Sequence, residues 1–262
     1  MPASAPEGRR AFAVATDVAL ALMFIVVAAS AAIRFSIAAD PSAALPVARG
    51  VHRASATLTA VAVLVLTVLA LRRPALRAKF ALPTAAALVL TLALSALGVA
   101  TGTTPPPLAQ FANLFGGLAL LALLAWLAGR VRGNAGAPLP DARRVTRLAR
   151  IAIVLGIMQA TLGAALATLW EASNAIALSA HGFTGLGAAA LAFALGVRLV
   201  GAGVPVGFGL IATGILAPLA GTVAALIDLA PMAALVHPLF GAATLALIAQ
   251  VDGRCSMPRR LA

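Results

Sequence analysis

The sequence predicts an all-α polytopic membrane protein, with eight transmembrane helices arranged as two parallel-repeat four-helix bundles. Three observations predict it. The 262 residues are 62% hydrophobic and only 10% charged, far below the charge of a soluble domain. Eight apolar runs, each near the roughly 20 residues that cross a bilayer as a helix, fill most of the chain. The basic residues are distributed one-sidedly between the connections, as orientation in a membrane requires.

The runs fall in order at Phe12–Ile33, Val51–Leu71, Leu82–Thr101, Leu108–Leu127, Ile151–Leu169, Ala175–Val197, Val204–Ile227 and Met232–Val251. Arg9 and Arg10 precede the first, which is too long for a cleaved signal. Arg72, Arg73, Arg77 and Lys79 separate the second from the third, and Arg130, Arg132, Arg143, Arg144, Arg147 and Arg150 the fourth from the fifth. Arg198 follows the sixth run, and Arg254, Arg259 and Arg260 follow the eighth. These sixteen of the 19 basic residues share one side, leaving Arg34, Arg49 and Arg53 on the other. The expectation is an inner (cytoplasmic) membrane protein with both termini cytoplasmic. The net charge of +12 is thereby a topological signal, and no nucleic-acid partner is expected. The lone Cys255 excludes an intrachain disulfide.

Gly129–Pro140 is rich in glycine and proline and reads as a connection between halves. The expected organisation is an N-terminal bundle over 1–132, a cytoplasmic linker over 133–150 and a C-terminal bundle over 151–262. Four crossings return the chain to its starting side, so the halves run in the same direction. A pseudo-two-fold axis along the membrane normal should relate them.

A pattern recurs at the outer end of each even-numbered span. His181 is followed four residues later by Gly185, His237 by Gly241, His52 by Ala56, and Asn113 by Gly117. Residues four apart share a helix face, so each unit sets a polar side chain above a small residue. Imidazoles from facing helices, with room for a flat group between them, are what a haem requires. His181 and His237 form the strongest pair. Interfacial histidines also bond simply to water or headgroups, but the shared depth and the shared small residue point to ligation. Arg53, beside His52, with Arg34 and Arg49 on the same side, suits haem propionates and equally suits lipid phosphate. Asn113 is a poor iron ligand; it leaves either a weak or open site, or a helix–helix hydrogen bond. Gln159 reads as an interhelical hydrogen bond and Asp17 as an acid at a positive helix end. Trp126 and Trp170 read as interface anchors, and Glu171 and Asp228 as solvated loop acids.

These residues carry a resemblance to the haem A synthase family over nearly the whole chain. His52-Arg53 resembles the family's His-Arg on its second helix, and Ala32-Ile33-Arg34 the arginine-bearing end of its first. Leu97-Gly98-Val99-Ala100-Thr101, the following prolines and Asn113-Leu114-Phe115-Gly116-Gly117 resemble the stretch around the fourth-helix histidine. Gln159–Gly163, His181 and His237 resemble the second-half sites. The resemblance implies an iron-dependent oxidoreductase that oxidises the C8 methyl of haem O to the formyl group of haem A, for cytochrome oxidase biogenesis. It implies a haem b held by His181 and His237, with substrate haem in the first half at a catalytic, iron-ligating His52. Together with the recurring pattern above, it gives Arg34, Arg53, Asn113, Gly117, Gly185 and Gly241 as candidate cofactor-binding positions. Its implied partners are the lipid bilayer, haem, a haem O synthase and a terminal oxidase, and a homo-oligomer is compatible with it. Two departures fall in the first half: Arg49 stands where the family pattern has glutamate, and Asn113 where it has histidine. A non-catalytic b-type cytochrome or a haem-binding oxidase assembly protein is therefore the alternative, and a haem-free transporter or scaffold a third.

Overall fold

The computed structural model describes residues 4–39, 44–133, 141–170, 174–226 and 230–255. Among them the chain forms eight α-helices and no strand: α1 (Ser4–Ala39), α2 (Ala44–Arg72), α3 (Pro74–Thr101), α4 (Pro107–Arg132), α5 (Ala142–Thr168), α6 (Ala175–Gly201), α7 (Val206–Leu226) and α8 (Ala230–Cys255). All eight are long and apolar enough to cross a membrane. Only a helix satisfies its own backbone polar groups in hydrocarbon, so each apolar run forms one. Buried hydroxyls are satisfied the same way. Thr16, Thr59 and Thr91 each donate to the carbonyl four residues back, and Thr67 also reaches the Thr84 carbonyl across the α2–α3 contact at 3.1 Å.

The helices overrun the apolar runs, because charge ends the hydrophobic pattern without ending the backbone ladder. The largest difference is at 142–150. The expected linker over 133–150 contains these residues, yet they form the first turns of α5. Asp141, in the left-handed region at φ 49, caps this helix by accepting from the Arg144 N–H. Asn174 caps α6 likewise, accepting from the Ala177 N–H at 3.0 Å. Residues 134–140, Glu171, Asp228, Arg259 and Arg260 lie outside the described residues.

Each half has its own core. One cluster joins Phe12, Val63, Leu66, Phe80, Leu121 and Leu124 from α1 to α4. The other joins Val145, Ala152, Leu195, Leu210 and Ile248 from α5 to α8. The principal helix pairings map onto one another when the halves are exchanged. Within the halves, α1–α2, α2–α3, α3–α4 and α1–α4 correspond to α5–α6, α6–α7, α7–α8 and α5–α8. Between them, α1–α8 corresponds to α4–α5, and α4–α8 to itself. The starts of α1 and α5 and the ends of α4 and α8 gather at one end of the molecule. There Arg9 donates to the Val131 carbonyl at 2.8 Å, Asp17 pairs with Arg132, and Asp252 pairs with Arg150 at 3.2 Å.

α4 and α8 cross at the centre in near backbone contact. A Cβ on Gly129 would collide with the Gln250 carbonyl, and one on Gly253 with the Trp126 carbonyl. Small residues permit such an approach in a membrane, where helix association relies on packing. Trp126 donates its indole N–H to Asp252 at 3.1 Å and carries the Arg130 guanidinium over its ring. It is thus a tie between the halves. Asp252, buried at 7% exposure, escaped the sequence reading; the only signal was an acid at the end of the eighth apolar run.

Candidate functional site

At the end opposite this charged cluster, α6 and α8 bring His181 and His237 together. Their ring centroids lie 5.9 Å apart, with the planes at 76°. Two imidazoles sharing one metal through metal–nitrogen bonds of about 2 Å have centroids roughly 6 Å apart. The spacing is thus one that two imidazoles sharing a metal could have, and the donor set would suit haem iron.

The neighbouring helices fix which nitrogen is available. Nδ1 of His181 lies 3.2 Å from the Gln159 carbonyl of α5, and Nδ1 of His237 lies 3.0 Å from the Ala217 carbonyl of α7. A carbonyl only accepts, so each Nδ1 carries the hydrogen and each Nε2 is left as the basic nitrogen. Orientation of a ligating imidazole by a carbonyl is the usual outer-shell arrangement in metal proteins. His52 repeats it in the first half, with Nδ1 3.4 Å from the Val26 carbonyl of α1.

In the second half, a glycine one turn beyond each carbonyl makes room for the ring. A Cβ on Gly163 would lie 2.7 Å from Cε1 of His181, and one on Gly221 2.9 Å from Cε1 and Nδ1 of His237. Gly221 was missed in the sequence and Gly163 was seen only as part of a resembling stretch. The spacing that matters is measured from a carbonyl on another helix.

The small residues on the histidine helices themselves divide. Gly241 opens onto a space with nothing within 4 Å of its would-be Cβ. Gly185 faces the Gln159 side-chain amide, 2.8–2.9 Å from the same construction. That amide also bonds Nε2 of His181 at 3.1 Å and accepts from Thr184 at 3.2 Å. The expected interhelical hydrogen bond of Gln159 is thus present, on the nitrogen that a metal would use. A small cavity of about 150 Å³ lies between Phe115, Ala119, Ile157 and Leu245. The larger groove, about 850 Å³, is apolar and lies elsewhere, between α1 and α2 at Val14, Val18, Leu58 and Val65.

In the first half, Arg34 and Arg53 both act electrostatically on His52, so these three cationic or basic groups share one region. Arg34 is half-buried and Arg53 exposed. Arg49 reaches the Thr103 carbonyl at 3.5 Å. Asn113 is half-buried and makes no side-chain hydrogen bond among the described residues; Phe111 and Phe115 stack on one another, centroids 6.0 Å apart, on a different face of α4. A Cβ on Gly117 would rest against Met23 at ordinary contact distance, 3.6 Å. Among the described residues no three His, Cys, Asp or Glu side chains converge. A metal held by His181 and His237 would thus need donors other than these side-chain types. No protein-family model matches the chain, and no curated protein matches it.

Proposed function

We propose that the chain is a haem-handling membrane oxidoreductase of the haem A synthase type. In this reading His181 and His237 hold a b-type haem in the second half. His52 would receive haem O in the first half, where its C8 methyl would be oxidised to the formyl group of haem A, a four-electron change for which dioxygen is the oxidant and water the other product. The observation that supports it best is the pairing of His181 and His237 at 5.9 Å, each with Nδ1 committed to a carbonyl, which leaves Nε2 as the nitrogen that could ligate a metal. Bound haem would supply one-electron transfer between the halves. The chain's own part is to orient the imidazoles through the Gln159 and Ala217 carbonyls. In the first half, Arg34 and Arg53 supply positive charge for propionates beside His52. The arginine bias supports an inner-membrane orientation with both termini cytoplasmic.

The test is spectroscopic. Purified protein should show a low-spin, six-coordinate b-type spectrum that His181→Ala or His237→Ala abolishes and His52→Ala retains. Colourless protein after expression with ample haem would refute the reading. Co-expression with a haem O source should yield haem A. A second reading, a non-catalytic b-type cytochrome serving electron transfer or oxidase assembly, is favoured by Arg49 and Asn113, which leave the first half without the expected carboxylate and second imidazole. One haem per chain without haem A formation would select it.

A further inference from the structure

One residue grips both nitrogens of one histidine. Gln159 accepts from Nδ1 of His181 through its backbone carbonyl at 3.2 Å and donates to Nε2 through its side-chain amide at 3.1 Å. We infer that the Gln159 side chain is a displaceable cap on His181, which competes with haem for Nε2 and for the hollow over Gly185. This rests on the haem reading above and concerns how that site is kept closed before loading.

The two ends of the amide are held unequally. Its N–H donates to Nε2 of His181, but its oxygen receives only a share of one hydroxyl hydrogen. Thr184 lies 3.2 Å from that oxygen, 2.8 Å from the Ala180 carbonyl and 3.1 Å from the His181 carbonyl. A single hydroxyl hydrogen cannot serve three acceptors fully, and the shortest contact is to Ala180. The amide is thus fixed chiefly by the bond that haem would replace, and its side chain has the rotatable bonds to swing away. The hollow is exclusive: the amide lies 2.8–2.9 Å from where a Cβ on Gly185 would stand, so amide and porphyrin face cannot both occupy it.

His237 has no such guard. Its Nε2 makes no hydrogen bond among the described residues, and Gly241 has nothing within 4 Å of its would-be Cβ. His237 is therefore the ready ligand and His181 the conditional one. While apo, the cap satisfies a basic nitrogen that would otherwise be unpaired at membrane depth.

Two readouts separate the cap from the haem reading. The chain has three histidines, so 15N-histidine spectra of haem-free protein are assignable by substitution. Gln159→Ala should move the His181 Nε2 resonance and leave that of His52 in place; an unmoved His181 resonance overturns the cap. Haemin titration of the full chain should then show affinity about two- to tenfold higher in Gln159→Ala than in wild type, the weight of one net hydrogen bond. Thr184→Val, which loosens the amide without emptying its site, should give a smaller change in the same direction. A merely structural Gln159 predicts the opposite sign, so unchanged or weaker haemin binding with a moved resonance overturns the competition. Absence of haemin binding in wild type and both variants overturns the haem reading and the competition with it, while the resonance still decides whether the cap exists.

Discussion

Each histidine of this chain is oriented by a carbonyl on a neighbouring helix that accepts from Nδ1: Val26 for His52, Gln159 for His181 and Ala217 for His237. In the second half a glycine one turn further on, Gly163 or Gly221, clears space for the ring. Gly163→Ala or Gly221→Ala puts a methyl within 3 Å of the ring, forcing the imidazole off its carbonyl. Thermal unfolding in detergent should show a loss of about 1–3 kcal/mol, the usual cost of overpacking. Haem affinity, read from the Soret band, should also fall. Gly241→Ala separates folding from binding. Its Cβ meets nothing within 4 Å, so haem-free protein should gain about 0.5–1 kcal/mol from the change in helix propensity. Haem binding should nevertheless weaken, because the methyl intrudes on the open face. At this scale the histidines and their own-helix glycines were legible, since a four-residue spacing is a helix face. The clearing glycines were not, because their register is set by another helix.

α4 and α8 are the elements on which the two halves turn. The most deeply packed membrane segment is that of α8, followed by that of α4. Gly129→Val should be among the most damaging apolar substitutions in the chain, because its side chain would meet the Gln250 backbone and not a movable side chain. A loss of at least about 3 kcal/mol, or failure to accumulate in the membrane, is the expected outcome. Asp252→Ala removes the acceptor of Trp126 and Arg150. About 1–3 kcal/mol should be lost, with a shift in Trp126 fluorescence as its indole N–H loses its partner. Helix existence was legible from the length of the apolar runs. Helix ends were less so: the arginine-rich stretch 142–150 reads as a linker by hydropathy but continues α5, because the backbone ladder is indifferent to side-chain charge.

For the whole molecule, the symmetric helix pairing and the gathered ends of α1, α4, α5 and α8 make the halves run in parallel. One end is therefore the charged latch and the other carries the histidines. With the arginine bias this predicts that a reporter fused after position 262 reads as cytoplasmic. Thr104→Cys, in the connection between α3 and α4, should be labelled by an impermeant thiol reagent from the opposite face. The reverse labelling pattern would overturn the orientation.

The sequence by itself determined the number of crossings, the two histidine-bearing halves and the polar positions, because hydrocarbon admits only helices and tolerates few polar side chains. Only the tertiary structure decided that His181 and His237 come together, that Gln159 lies on Nε2 of His181, and that α4 and α8 form the seam. Those facts depend on how far each helix rotates and how closely its backbone approaches the next. In an apolar, low-complexity chain this is fixed by side-chain packing between segments distant in sequence, and no local pattern records it.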